Sequence, residues 1–134
     1  MRFTFPGHTR PITIYGLHPP PPVSAALAAA RNDKLEWIAS AIRSRGDERA
    51  VAVGDFNLTP YSPHFPAFAR RSGLQPALPG RFPQGSWPVL FGTAAFGIPI
   101  DHAFVPADAA VIAHEIGPDL GSDHLPVTLT LAFD

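Results

Sequence analysis

The short apolar run Ala50–Val53 constrains the fold most, because it is too short for a helix and half of it is β-branched. It ends at Gly54, after which Asp55 and Asn57 flank Phe56. Such a run indicates a buried strand, and side chains two positions apart on an extended backbone point the same way. We therefore expect Asp55 and Asn57 to face one site, with Phe56 turned back to the core.

The alanine-rich segment before this strand has the pattern of a helix. Its larger apolar residues recur on one side of Ser24–Ser44, with Ser24 as a suitable N-cap and Gly46 as a suitable stop. The preceding run Pro19–Pro22 must be extended and stiff, since each proline ring fixes φ and disfavours a helical predecessor. The segment therefore predicts one long helix that begins after a rigid extended stretch.

Local signals predict the remaining elements. These are the strands Ile12–Leu17, Ile100–Val105, Ala110–Ile116 and Leu125–Phe133, a short helix from Ser62-Pro63 to about Arg71 closed by Gly73, and a long irregular loop over residues 75–99. The order strand, helix, strand, helix and then strands indicates an α/β layered fold.

Composition excludes several classes of protein. The chain has 134 residues, enough for one domain with its own core, and a formal net charge of -1. It has no cysteine, which excludes disulfides and thiolate zinc sites. No apolar run reaches the length of a transmembrane helix. We therefore expect a soluble protein, cytoplasmic by default. No stripe of basic residues indicates a nucleic-acid partner.

Polar or ionisable side chains stand at the ends of four predicted strands. The four pieces are Leu17-His18-Pro19, Gly54-Asp55-Phe56-Asn57, Ile100-Asp101-His102 and Gly121-Ser122-Asp123-His124-Leu125-Pro126. Each alone is most often a turn, a helix cap or a hydrogen-bonded histidine. Their recurrence beside loops at strand ends favours a functional site. The remaining histidines are interpreted as structural: His8, His64, His102 and His114.

Together these pieces resemble the endonuclease/exonuclease/phosphatase superfamily. GDFN, then IDH, then GSDHLP, with an upstream strand ending in HP, follow that family's order from about Ile12 to Phe133. The family includes pancreatic-type deoxyribonucleases, abasic-site endonucleases, neutral sphingomyelinases and inositol polyphosphate phosphatases. The resemblance implies a divalent-metal-dependent phosphoester hydrolase. It implies an α/β (α+β) fold that is about half of a four-layer α/β/β/α sandwich, with mixed or antiparallel sheet and outer helices. Residues 1–134 would then be a single partial domain, the second half.

Carried over by position, the resemblance assigns five catalytic residues. Asp55 resembles the carboxylate that orients and activates the attacking water, and Asn57 resembles the amide that touches the scissile phosphate. His124 resembles the imidazole at the phosphoryl group, held by the carboxylate of Asp101. His18 matches the histidine near the phosphate and the leaving group.

Asp123 resembles a carboxylate ligand of a divalent metal, Mg²⁺ or Mn²⁺. Apart from the resemblance, these residue types suit the hydrolysis of a phosphoester. A hard cation held by carboxylates neutralises the charge that develops on phosphate oxygens, an Asp–His pair orients an imidazole, and an amide donor adds a hydrogen bond where charge grows. The implied partner is a phosphoester substrate: a nucleic acid, a lipid headgroup or a sugar phosphate.

Two elements of such a domain have no counterpart in this sequence. Family members carry an earlier strand with an Asn and a following strand with a Glu that ligates the essential metal. The metal-ligating Glu is not replaced by any of three other glutamates, because these lie in or after the long helix or in a late strand. They are Glu36, Glu48 and Glu115. Half of the sandwich would leave one inner sheet face bare. We therefore expect either a fragment of a longer chain or burial of that face by a second copy or another chain.

Three functions stay open at this point. The first is the phosphohydrolase, inactive alone if the missing metal ligand is essential. The second is a non-catalytic remnant or interaction module that keeps the motif residues. The third is a lipid-directed phosphodiesterase whose loop over residues 75–99 inserts aromatic side chains at a membrane interface. Those side chains are Phe82, Trp87, Phe91 and Phe96, and their packing within the loop is the competing interpretation.

Overall fold

The structure, a computed structural model, describes residues 1–4, 10–47, 49–78, 85–90, 93 and 97–133. The elements within these residues are β1 (Arg2–Phe3), β2 (Ile12–Leu17), α1 (Ala25–Arg45), β3 (Ala50–Asp55), α2 (His64–Ser72), β4 (Gln75–Pro76), β5 (Asp101–Val105), β6 (Ala109–Ile116) and β7 (Val127–Phe133). The predicted strands and helices are confirmed, with ends shifted by one or two residues.

The strands form a mixed sheet and a separate hairpin. The five-stranded sheet has the order β1-β2-β3-β5-β4, and β6 pairs with β7 alone. The β2–β3 pair is parallel and is connected through α1, whereas the other pairs are antiparallel. The fold class predicted from the sequence, a mixed α/β arrangement that corresponds to part of a sandwich, is confirmed.

The sequence correctly predicts the capping residues at both ends of α1 and at the end of α2. The Leu27 backbone N–H donates to Ser24 Oγ at 3.2 Å, and Gly46 ends α1 in the left-handed conformation with φ of 62°. Gly73 ends α2 in the same way. The start of α2 differs by one residue from the prediction, because Pro63 is the N-cap rather than the first helical residue.

Both helices pack on one face of the five-stranded sheet. The strand residues Ala50, Ala52 and Phe104 point to this face, and Phe104 is completely buried. The rings of Phe56 and Phe68 lie 5.2 and 4.8 Å from the Phe104 ring. Aromatic contacts of this kind add to the free energy of burial, so this helix-side core is fully packed.

The opposite face of the sheet contacts the β6–β7 hairpin. Val51 and Val105 point to that face and are buried, whereas Leu129, Leu131 and Phe133 of β7 are only partly buried against them. The inner face is therefore partly covered by this chain itself. Its further burial by a second copy or another chain stays a prediction, as does the division of residues 1–134 as one partial domain.

Two regions differ from the sequence-based expectation. The segment 75–99 is not wholly irregular, because β4 pairs with β5 and isolated bridges join Trp87 to Ile98 and Leu90 to Thr93. Strand β1 was not predicted, because two residues are too few to show a periodicity. Among the residues that the structure describes, no helix has the length and apolar character needed to cross a membrane.

Candidate active site

Two strand pairings bring three of the predicted site residues to one end of the five-stranded sheet. β2 runs parallel to β3 with Leu17 opposite Gly54, so His18 follows β2 where Asp55 ends β3. β3 runs antiparallel to β5 with Asp55 opposite Asp101. Directly opposed residues of an antiparallel pair have neighbouring side chains on one face. Sheet register therefore assembles His18, Asp55 and Asp101.

Gly54 permits the close approach of β2 and β3 beneath the site. Its φ is +137°, and a Cβ atom added there would lie 2.2 Å from the carbonyl oxygen of Leu17. An L side chain is strained at this φ and would collide with the backbone of the neighbouring strand. The glycine before Asp55 is thus a steric requirement of the strand pair that positions the site.

Asn57 holds the carboxylate of Asp55. Its backbone N–H donates to Oδ1 at 2.7 Å, and its side-chain Nδ2 donates to Oδ2 at 3.1 Å. Nδ2 also donates to the backbone carbonyl of Pro19 at 3.0 Å, so the amide links the end of β3 to the proline run. In this arrangement Asn57 orients Asp55, and its contact with a scissile phosphate stays a prediction.

His124 completes the group of residues around Asp55. Its Nδ1 lies 2.8 Å from Asp101 Oδ2, a hydrogen bond in which Nδ1–H is the donor to the carboxylate. Its Nε2 is then directed to Asp55, with 3.9 Å to Oδ2, and His18 Nε2 lies 3.7 Å from the same oxygen. The side chain of Asp55 is 15% exposed and that of His18 is 77% exposed, so His18 stands at the mouth of the site.

The geometry suits proton transfer. One shielded carboxylate oxygen has two imidazole nitrogens within 4 Å, and the second carboxylate fixes the ring of one imidazole. Carboxylates and imidazoles serve as general acids and bases when a reacting molecule lies within hydrogen-bond reach, directly or through one water. The structure brings together five of the six predicted site residues, and their catalytic roles stay predictions.

Asp123, the predicted metal ligand, makes a different contact. Its Oδ2 accepts a hydrogen bond from Trp87 Nε1 at 3.2 Å. Zinc sites use three or more carboxylate, imidazole or thiolate side chains, whereas Mg²⁺ is usually bound by one or two carboxylates together with waters and substrate phosphates. In the described part of the chain, no group of three or more such side chains is placed to hold a metal ion. A single carboxylate such as that of Asp123 suits Mg²⁺ as one of few protein ligands, and the roles of Asp123, Mg²⁺ and Mn²⁺ stay predictions.

His102 lies beside the site but is built into the core. Its Nε2 is 2.7 Å from the Leu58 carbonyl, and its ring contacts the rings of Phe56 and Phe65 edge-on at 5.8 and 4.8 Å. Burial lowers the pKa of His102 below its ordinary value, and the hydrogen bond to Leu58 opposes that shift. A neutral ring that donates from Nε2 fits this setting and the structural interpretation of this histidine.

Arg31 is the site residue that sequence reasoning missed. It projects from α1, and its Nη1 donates to the backbone carbonyl of Asn57 at 2.7 Å. Burial lowers the pKa of its guanidinium, which still carries a charge at neutral pH. No sequence signal identifies it, because one arginine on a helix is ordinarily a solvated surface residue.

A cavity of about 690 Å³ lies between the sheet and the hairpin next to the site. Asp101 and His102 line it together with apolar residues of both layers, and His114 lines it from β6. The buried Ser86 also lines it, and its Oγ has no hydrogen-bond partner among the residues that the structure describes.

Several residues singled out from the sequence lie outside the described residues: His8, Glu48, Phe82, Phe91 and Phe96. Of the four loop aromatics, Trp87 is described and is half-buried. Its ring lies 6.3 Å from the ring of His124, and its indole N–H is bonded to Asp123. Trp87 thus packs against the candidate site, and insertion of the loop at a membrane stays a prediction.

Comparison with known proteins identifies this arrangement of motifs. The sequence model of the Endonuclease/Exonuclease/phosphatase family matches residues 2–124. No curated protein matches the chain. The structure is similar to that of a conserved protein of unknown function from Enterococcus faecalis V583, with a TM-score of 0.79 and 18% sequence identity. That alignment covers 99% of this chain and 54% of the other.

Two further solved structures carry functional names. Mannosyl-6-phosphatase from Bacteroides thetaiotaomicron VPI-5482 aligns with a TM-score of 0.74 at 20% identity, over 92% of this chain and 52% of its own. The human Nocturnin catalytic domain, solved with a bound sulfate anion, aligns with a TM-score of 0.69 at 18% identity. That alignment covers 99% of this chain and 51% of the other. The chain thus spans about half the length of these structures, and the likeness shows a shared fold. With the family match over most of its length, this chain belongs to the Endonuclease/Exonuclease/phosphatase family.

Proposed function

We propose that this chain carries the proton-transferring groups of a phosphoester hydrolase that acts on phosphodiesters or phosphomonoesters. The observation that carries the proposal is the convergence of two imidazoles on one carboxylate oxygen. His18 Nε2 and His124 Nε2 lie 3.7 and 3.9 Å from Asp55 Oδ2. Family membership supports the reaction class, since the family unites nucleases and phosphatases.

In the proposed reaction, Asp55 accepts a proton from the attacking water. Asn57 keeps both carboxylate oxygens in place with its two hydrogen bonds. Asp101 fixes the ring of His124 through Nδ1, so that Nε2 faces the reacting groups and donates a hydrogen bond to a phosphoryl oxygen. His18, the most exposed of the set, protonates the leaving oxygen at the mouth of the site.

A divalent cation, Mg²⁺ or Mn²⁺, belongs to the proposal with Asp123 as one of its ligands. When bound, such an ion neutralises charge on phosphate oxygens. Among the described residues no group of three or more ligating side chains is placed together, and the steps above are assigned to the side chains alone. The substrate is a phosphoester of a nucleic acid, a lipid headgroup or a sugar, three classes that share the reacting group.

The test is hydrolysis of bis-p-nitrophenyl phosphate and p-nitrophenyl phosphate with millimolar Mg²⁺ or Mn²⁺. We expect Asp55→Asn to lower the rate about 100-fold or more, because proton transfer by a positioned carboxylate contributes at least that factor. Asp33→Asn is the matched control, since Asp33 is exposed on α1. Equal loss in the two variants, or a rate in the parent that Asp55→Asn leaves unchanged, contradicts the proposal.

A non-catalytic interaction module is the second candidate. The observation that favours it is that Asp123 accepts a hydrogen bond from Trp87, while the described residues include no group of three or more metal-ligating side chains. Absence of hydrolysis by the folded parent chain with both metals and both esters supports this candidate over the first.

A further inference from the structure

We propose that Arg31 is a positioning residue, which holds the backbone of Asn57 in its left-handed conformation and thereby fixes the carboxylate of Asp55. The catalytic consequence of this inference rests on the proposed function. Its structural consequence is measurable without any activity.

The backbone of Asn57 is in an unfavourable conformation. Its φ is 48°, and within the described residues no other residue except glycine has a positive φ. Asparagine tolerates this region better than most residues, yet it occupies the region only when surrounding contacts favour it. Such a conformation beside a candidate catalytic carboxylate calls for an identified restraint.

The left-handed conformation of Asn57 orients the carboxylate of Asp55. It allows the backbone N–H and the side-chain amide of one residue to bond the two oxygens of Asp55, at 2.7 and 3.1 Å. If Asn57 relaxes to an ordinary φ, these two donors cannot both keep their directions, because the chain between them rotates. The orientation of Asp55 therefore depends on the conformation of Asn57.

Arg31 supplies the restraint at the carbonyl of Asn57. Its Nη1 donates to this carbonyl at 2.7 Å, a charge-assisted bond that joins α1 to the end of β3. The guanidinium is itself fixed, because Nε and Nη2 both donate to Asn32 Oδ1, at 3.0 and 2.7 Å. Pro19 holds the side-chain amide from the other direction at 3.0 Å. Asn57 is thus held at its carbonyl by Arg31 and at its amide by Pro19.

The planar fork of Arg31 explains why arginine is needed. The guanidinium donates in two directions at once, to Asn32 and to Asn57. A lysine ammonium keeps the charge but lacks this fixed geometry. Arg31→Lys is therefore expected to behave more like Arg31→Ala than like the parent.

The test is site-resolved amide hydrogen exchange by NMR. The Asn57 amide, bonded to Asp55, is the reporter, and the Phe56 amide, bonded to the Ile100 carbonyl at 2.8 Å, is the internal reference. We expect Arg31→Ala to speed exchange at Asn57 about tenfold or more, as loss of one charge-assisted bond implies, with Phe56 changed far less. Arg43→Ala, on an exposed side chain of the same helix, is expected to change neither amide.

Unchanged exchange at Asn57 in a folded Arg31→Ala or Arg31→Lys protein overturns the inference. So does an equal increase at all slow amides, which would mean a general loss of stability. If the parent hydrolyses bis-p-nitrophenyl phosphate, we further expect Arg31→Lys to lower kcat with KM little changed, since Asp55 acts on the reacting water. Failure of the parent to hydrolyse the ester counts against the proposed function, and the exchange result still decides the role of Arg31.

Discussion

Two of the segments that deliver site residues are held in different ways. The GDFNL segment, residues 54–58, alternates site residues with the core side chains Phe56 and Leu58, which are 0% and 1% exposed. The GSDHL segment, residues 121–125, has exposed or half-exposed side chains throughout. Backbone hydrogen bonds attach it to residues 86 and 89, with 2.9 Å for each.

The GDFNL part of the site is therefore built into the helix-side core, whereas the GSDHL part is attached by hydrogen bonds to residues outside that core. Loss of a core contact under the GDFNL segment should therefore unfold the protein. Loss of a contact in the GSDHL segment should change only local geometry.

Phe56→Ala should give the largest loss of stability. The ring is completely buried and contacts the rings of Phe68 and Phe104 at 5.2 Å each, so its removal leaves a cavity in the core. We expect the free energy of unfolding to fall by about 3–5 kcal/mol, measured by urea denaturation. Leu120→Ala, directly before the GSDHL segment at a side chain that is 75% exposed, should change it by less than about 0.5 kcal/mol. Similar losses in the two variants would remove the contrast.

Gly54→Ala and Gly121→Ala form a matched pair, because both glycines have a positive φ, of +137° and +84°. A Cβ at Gly54 meets the Leu17 carbonyl oxygen at 2.2 Å, whereas a Cβ at Gly121 meets nothing within 4 Å. We expect a loss of about 3 kcal/mol or more for Gly54→Ala and about 1 kcal/mol for Gly121→Ala, by thermal unfolding. An equal shift of Tm would show that φ strain alone, and not the strand contact, governs both sites.

His102 should make the GDFNL side of the site sensitive to pH. Its folded-state pKa is lowered by burial, so the unfolded chain binds the proton more readily. The stability that this group contributes is full above its unfolded pKa and is lost as pH falls through that value toward the folded one. The free energy of unfolding should therefore decrease as the pH is lowered from about 7.5 to about 5.5. The decrease should be less steep in His102→Gln. His64→Gln, at an exposed histidine of α2, is the control; if it alone flattens the slope, His102 is not the source.

Ser86→Ala should have the smallest effect. Its Oγ is buried and has no hydrogen-bond partner within the described part of the chain, while its backbone carbonyl accepts the hydrogen bond from Leu125 of the GSDHL segment. Removal of an unpaired buried hydroxyl is neutral or stabilising, and the backbone bond is retained. Ser72→Ala is the comparison, since Ser72 Oγ accepts from Leu74 N–H at 3.2 Å and donates to the Ala69 carbonyl at 3.3 Å. We expect Tm to stay level or rise for Ser86→Ala and to fall for Ser72→Ala; a fall for both would assign Ser86 an unseen partner.

Local sequence signals determined the elements and the positions of the motif residues. Ser24 and Gly46 fixed the ends of α1, and the β-branched run before Gly54 fixed β3, because caps, glycine conformations and strand propensity act within a few residues. The motif order also identified the family. Helix ends, strand positions and motif order can be predicted without knowing which strands are neighbours in the sheet.

Only the tertiary structure decided which side chains meet. The pairing of Asp55 with Asp101 depends on the register of β3 and β5, and the contact of Arg31 with Asn57 depends on how α1 packs across the sheet. The bond between Trp87 and Asp123 joins two segments that are 36 residues apart. Periodicity and capping carry no information on such contacts, since they arise when distant surfaces are packed and their polar groups must find partners. For this protein the sequence therefore determined the candidate residues, and packing determined that Asp55 is held by its neighbours while Asp123 is bonded to a tryptophan.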